Sequence, residues 1–137
     1  MLKASHNGCY YFVNYTDEYS SHNIVYPIRT KDQVPATVLR YHADVAKVRA
    51  VHPLLVLKRD NAGENTSAAV TEILESRGTK SEFSAPHHPH QNGVFERSNR
   101  TILDIARTNM IQSGCFGPFW ARTVCQAASI SNVQLVP

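Results

Sequence analysis

Four consecutive apolar residues, Leu54–Leu57, place the strongest limit on the fold of this chain. An apolar run without alternation is typical of a β-strand whose two faces are both covered. Apolar side chains recur at helical spacing before the run, from Pro35 to about Arg49, and after it, up to about Arg77. A strand between two helices predicts crossover connections, and therefore an α/β sheet with helices packed on its faces.

The other segments predict further strands and helices around this unit. Aromatic and β-branched residues predict strands at Cys9–Tyr15 and Ile24–Ile28, and the short polar link between them predicts an antiparallel hairpin. Thr79–Ala85 predicts a short strand, Val94–Gln112 a long helix, and the residues from about Pro118 onward a last helix. The order is β-β-α-β-α-β-α-α, which fits a single domain over residues 1–137.

Composition limits the class of protein more than its function. An apolar fraction of 42% is sufficient for a core and argues against disorder. A net charge of +3 permits a polyanionic partner without requiring one, because the basic residues are spread along the chain. No apolar run approaches the roughly 18 residues of a membrane helix, so no membrane partner is expected. Three cysteines without paired metal-site spacing predict reduced thiols in an intracellular protein.

Two carboxylates are the candidates for chemistry. Asp60 follows the apolar run, and Glu96 lies in the first turn of the predicted long helix, with 35 residues between them, at positions 61 to 95. Carboxylates that a fold brings together can bind the pair of divalent metals used in phosphodiester chemistry. Taken singly, each has a structural alternative: Asp60 begins a turn, and Glu96 interacts favourably with the helix dipole.

The residues around Glu96 extend the candidate site. Asn99 and Arg100 lie one turn further along the helix and are expected on the same face, where they would suit phosphate contacts. A solvated helix face is the alternative. The histidines that precede the helix lack the partner ligands of a zinc site and predict a solvated loop; they are His87, His88 and His90.

Taken together, two segments resemble a known family. Leu57–Glu64 (LKRDNAGE) resembles the second-carboxylate block of Ty1/copia-type retrotransposon integrases, and Ala85–Thr101 (APHHPHQNGVFERSNRT) resembles the third. The spacing of the two acids is that of the family's D,D-35-E pattern. Tyr11-Phe12-Val13 together with Thr16–Ser20 is similar to the family's opening hairpin, and Phe119-Trp120-Ala121 resembles its closing helix, so the resemblance covers nearly the whole chain.

The resemblance implies an RNase H-like fold and a polynucleotidyl transferase that processes 3′ ends and transfers strands into target DNA. It also implies that Asp60 and Glu96 are catalytic ligands of a two-metal site for Mg²⁺ or Mn²⁺. Asn92, Asn99 and Arg100 would then contact DNA. The implied partners are element and target DNA and further copies of the chain, and the implied place of action is the nucleus.

The chain departs from the family pattern in ways that affect activity. The first of the three family acids lies on a strand before the segment that matches Met1–Gly8. The chain is therefore expected to be an N-terminally truncated core without that strand, and to have little or no activity by itself. Ala62 also replaces a glycine of the family block. A non-catalytic nucleic-acid-binding or oligomerisation module is the alternative, and an RNase H-like nuclease that takes its missing carboxylate from elsewhere is a third.

Overall fold

The computed structural model describes residues 3–48, 54–59, 68–83 and 93–134. They form four strands and four helices in the predicted order, with a single 3-10 turn at Lys31–Gln33 before the first helix. The elements are β1 (Tyr11–Thr16), β2 (Asn23–Ile28), α1 (Val34–Val48), β3 (Val56–Arg59), α2 (Ala68–Ser76), β4 (Lys80–Phe83), α3 (Gly93–Ser113) and α4 (Trp120–Gln134).

The described residues fall into two compact units. The first contains the residues up to Thr30 and those from Gly93 onward, and the second contains the residues from Lys31 to Phe83. Each unit combines one two-stranded sheet with two helices. The mixture of strands and helices confirms the predicted α/β class.

The first unit contains the predicted hairpin. β1 and β2 pair antiparallel, with Tyr11 opposite Ile28 at one end and Thr16 opposite Asn23 at the other. Asp17 closes the turn, because its Oδ2 accepts hydrogen bonds from the Ser20 backbone N–H (2.8 Å) and the Ser20 hydroxyl (2.6 Å). The short polar link therefore forms the turn that the sequence predicts.

The core of the first unit lies between α3, α4 and the hairpin. The side chains of Ile102 and Ala127 are fully buried there. Phe12 and Val25 pack against this cluster from the two strands. Trp120, at the start of α4, is also buried, and its indole N–H donates to the backbone carbonyl of Lys3 (3.1 Å). The core thus fixes the long helix α3 against the hairpin.

The second unit has a parallel sheet and a smaller core. β3 pairs with β4, with Val56 opposite Lys80. The buried side chains of Val38, Val70 and Leu74 come from α1 and α2, which pack together. Gly78 ends α2 in the left-handed conformation (φ +68°), as its position after the helical pattern predicts.

One expectation about β3 is wrong. The run Leu54–Leu57 is predicted to be covered on both faces, but Leu55 is 67% exposed and Val56 is 40% exposed. The strand also begins at Val56 instead of Leu54. Among the described residues β3 pairs with β4 alone, so its sheet has two strands and leaves these side chains in contact with solvent.

The last helix begins two residues later than predicted. Gly117 has φ +78°, and its carbonyl accepts from the Trp120 backbone N–H (3.2 Å), so Pro118 lies in a turn and α4 starts at Trp120. Within the part of the chain that the structure describes, no helix has the length and apolar character needed to cross a membrane.

Candidate functional site

Helix α3 carries three of the five predicted site residues: Glu96, Asn99 and Arg100. The other two, Asp60 and Asn92, lie outside the described residues, and so does the predicted histidine-containing loop. Asp60 follows the last residue of β3, and Asn92 precedes the first residue of α3. The described site is therefore the first two turns of α3 with the side chains that hold them.

Glu96 lies in the first turn of α3 and is exposed. The backbone N–H groups at the start of a helix carry a partial positive charge, which stabilises a carboxylate there by roughly 0.3–1 kcal/mol. An exposed carboxylate oxygen is also a suitable ligand for a hard divalent cation. Among the described residues no three His, Cys, Asp or Glu side chains lie close enough together to hold a metal ion. The described site therefore contains one exposed carboxylate, on the first turn of α3.

Arginine side chains follow Glu96 along the exposed side of the helix. Arg97, Arg100 and Arg107 are all exposed, and Arg107 is paired with Asp104 (3.5 Å). The three arginines and the two acids of α3, Glu96 and Asp104, give the helix a net charge of +1. Guanidinium groups donate hydrogen bonds in a geometry that matches phosphate. This side of α3 can therefore contact a nucleic-acid backbone.

Asn99 points in a different direction from Glu96 and Arg100. It is half-buried, and its Oδ1 accepts a hydrogen bond from the Nδ2 of Asn14 in β1 (3.0 Å). The expectation that Asn99 and Arg100 share one face is therefore not met. The 100° step between successive helix residues places Arg100 on the solvent side when Asn99 faces the hairpin.

The sequence analysis did not predict the polar side chains that surround Asn99. They form a hydrogen-bonded cluster of polar side chains between the hairpin and the helices: Asn14, Thr16, Asn23, Ser98, Asn99 and Asn132. Asn14 and Asn23 are 7% and 4% exposed. Asn14, within an otherwise apolar and aromatic strand segment, is the signal that could have identified the cluster, because buried amides need hydrogen-bond partners.

A buried arginine stabilises the end of β3 next to Asp60. The Arg59 side chain is 6% exposed, donates from Nε to the Ser81 hydroxyl (2.9 Å) and from Nη2 to the Thr71 hydroxyl (3.4 Å), and lies 4.6 Å from the centre of the Phe83 ring. Burial lowers the pKa of the Arg59 guanidinium. These contacts fix the last residue of the strand from which Asp60 continues.

Comparison with known proteins identifies relatives over almost the whole chain, although no protein-family model matches. The chain is 36% identical over 128 residues to the retrovirus-related Pol polyprotein of transposon TNT 1-94 from Nicotiana tabacum, covering 93% of this chain and 10% of that protein. It is 30% identical over 132 residues to the transposon Ty1-DR4 Gag-Pol polyprotein of Saccharomyces cerevisiae, covering 93% of this chain and 8% of that protein.

Two solved structures show the same fold. The catalytic core domain of BIV integrase matches with a TM-score of 0.58 at 20% identity, over 90% of this chain and 72% of that one. A chain of the simian T-cell lymphotropic virus intasome in complex with PP2A regulatory subunit B56 gamma matches with a TM-score of 0.70 at 15% identity, over 93% of this chain and 42% of that one.

The chain is thus similar in sequence to a segment of Ty1/copia Pol polyproteins, and its fold is that of retroviral integrase catalytic cores. The resemblance and the RNase H-like fold predicted from the sequence are thereby confirmed. Integrase-like proteins generally use divalent metals. The chain spans about a tenth of the length of the curated relatives it matches, so the activity and partners of a whole polyprotein apply to it only as proposals.

Proposed function

We propose that this integrase core takes part in DNA integration, with Asp60 and Glu96 as ligands of Mg²⁺ or Mn²⁺ and with the exposed side of α3 as a DNA contact. The observation that supports it best is the position of Glu96: an exposed carboxylate in the first turn of α3, followed one turn later by the exposed Arg100. The divalent cations would supply Lewis-acid activation of the phosphodiester.

The roles of the chain's own residues follow from their surroundings. Glu96 would offer carboxylate oxygens from a helix turn whose backbone is fixed, which limits the positions that a bound cation can take. Arg100, and Arg97 beside it, would donate hydrogen bonds to phosphate oxygens and so orient a DNA strand along α3. Arg59 would hold the end of β3, and with it the start of the segment that contains Asp60.

The salt dependence of DNA binding tests the role of Arg100. Each phosphate contact that is lost reduces the slope of log K against log salt by about 1 for duplex DNA. We expect Arg100→Gln to weaken binding of a short duplex and to reduce this slope by about 1. Arg122→Gln is the matched control, since Arg122 is an exposed arginine on α4. Equal slopes for the wild type and Arg100→Gln would contradict the assignment.

Catalysis by the isolated chain is expected to be weak or absent. The family pattern has three acids, and Asp60 and Glu96 are proposed here for two of them, so two carboxylates alone are expected to hold the metals poorly. We expect no strand-transfer product when the purified chain is incubated with a labelled DNA end, a target plasmid and Mg²⁺ or Mn²⁺. Metal-dependent product that disappears in Glu96→Gln would show that the chain is active by itself.

A non-catalytic nucleic-acid-binding role is the second candidate, and the exposed arginines of α3 favour it because they do not depend on a complete metal site. DNA binding without strand transfer would support this role. We also propose self-association and action in the nucleus, where the DNA substrate is found. Light scattering on the purified chain would test the self-association.

A further inference from the structure

The side-chain amide of Asn14 is held at the centre of the buried polar cluster. Its Nδ2 carries two hydrogens and faces four oxygen atoms: Asn99 Oδ1 (3.0 Å), Ser98 Oγ (3.2 Å), Thr16 Oγ1 (3.3 Å) and Asn23 Oδ1 (3.5 Å). Two of these oxygens belong to α3, and two belong to the hairpin. The amide therefore connects the helix to both strands.

The neighbours of Asn14 determine which way its amide points. Asn23 Nδ2 donates to the Ser21 carbonyl (3.0 Å), so Asn23 presents its Oδ1 to the cluster. That oxygen accepts from the hydroxyls of Thr16 (2.9 Å) and Ser98. The Thr16 hydroxyl can donate to Asn23 or to the Ser98 hydroxyl (3.2 Å), and in either case neither hydroxyl hydrogen is directed at Asn14, so the hydroxyl lone pairs are left for it. Asn14 must then act as the donor.

Asn14 also has an uncompensated group. Its Oδ1 is buried and has no hydrogen-bond partner among the residues that the structure describes. A buried acceptor without a partner is unfavourable for folding. The orientation is therefore held by the bonds on the Nδ2 side, and chiefly by the shortest of them, to Asn99.

We propose that Asn14 and Asn99 are a pair of positioning residues that fix the rotation of the first turns of α3 on the hairpin. This inference rests on the proposed function, because those turns carry Glu96 and Arg100. Further along α3 the contacts are apolar, through Ile102 and Ala106, and apolar contacts are not directional. Directional hydrogen bonds at Ser98 and Asn99 set the angle at which Glu96 and Arg100 face solvent.

Hydrogen exchange tests the pair without requiring any activity. We expect Asn14→Leu and Asn99→Leu each to raise the amide exchange rates of residues 97–101 about tenfold, as the loss of one buried hydrogen bond predicts. Exchange in the last turns of α3 should change little. In the double variant the increase in exchange rates should be smaller than the combined increases of the two single variants. Both polar partners are then replaced, so neither is left buried without the other. Asn109→Leu is the matched control, since Asn109 is half-buried on the same helix and outside the cluster.

DNA affinity separates positioning from contact. The measurements are made at low salt, at a temperature at which circular dichroism shows every variant to be fully folded. We expect Asn14→Leu and Asn99→Leu to weaken binding by similar factors, and the double variant to be no weaker than either. A direct DNA contact by Asn99 predicts instead that Asn14→Leu has no effect on affinity.

The two readouts distinguish failure of this inference from failure of the proposed function. If the wild type binds no DNA, the proposed function fails, while the exchange experiment still decides the pairing. Exchange rates of residues 97–101 in Asn14→Leu equal to those in Asn109→Leu would overturn the inference. Additive effects of the two substitutions on the amide exchange rates would also overturn the inference.

Discussion

At the scale of single residues, His42 makes part of the stability depend on pH. Burial lowers the pKa of its imidazole below the ordinary value of 6.5, and the charge of Arg77 lowers it further. Its Nε2 lies 3.4 Å from the hydroxyl of Thr79, which in turn donates to the Leu54 carbonyl (2.9 Å). The neutral imidazole is therefore the form that the folded chain favours.

The sign of the pH effect follows from this direction. Below pH 6.5 the unfolded chain binds a proton at His42 that the folded chain binds only at lower pH. The stability due to neutral His42 is therefore present above pH 6.5 and is lost as the pH falls through the lowered pKa. We expect the free energy of unfolding of His42→Gln to fall less than that of the wild type when the pH is lowered from about 7.5 to about 5, as measured by urea titration. The exposed His22, changed to Gln, is the control. An unchanged pH profile in His42→Gln would contradict the prediction.

Sequence reasoning placed Glu96 and Arg100 on one face of a helix, and both are exposed on α3, because helical periodicity is a local property. It could not place Asn99, since the direction of that side chain depends on Asn14, a strand residue 85 positions away. Burial of Arg59 was unexpected for the same reason. Arginine is seldom buried, and the hydroxyls and the ring that compensate for it come from α2 and β4.

At the scale of elements, the end of α2 depends on Gly78. Its φ of +68° is a conformation that other residues adopt at a cost, and a Cβ at this position would meet no atom within 4 Å. The backbone N–H groups of Gly78 and Thr79 donate to the carbonyls of Glu75 (3.1 Å) and Leu74 (2.9 Å). We expect Gly78→Ala to lower the free energy of unfolding by about 1 kcal/mol through backbone strain alone. The control is Gly93→Ala, because Gly93 has equal space but no positive φ. Equal stability of the two variants in urea titration would rule out this explanation.

The order of the strands and helices could be predicted from the sequence, but which strands pair with one another could not. Gly78 and Gly114, both with positive φ, mark helix ends that the sequence shows directly. The exposure of Leu55 and Val56 depends on which strands lie beside β3, and that is set by contacts distant in sequence. An apolar run alone therefore identifies a strand without showing what covers it.

At the scale of the whole molecule, each of the two units has buried apolar side chains of its own, and the single domain expected from the sequence stays a prediction. Ile102 is fully buried in the first unit, and Leu74 is 1% exposed in the second. Replacing either by Ala removes buried apolar volume and costs about 2–5 kcal/mol locally. If the units open separately, Leu74→Ala will raise amide exchange in residues 68–83 and leave residues 102–128 protected, and Ile102→Ala will do the reverse. Native-state hydrogen exchange measures both segments in one experiment. Equal loss of protection in both segments for each variant would instead show a single cooperative domain, as the sequence predicts.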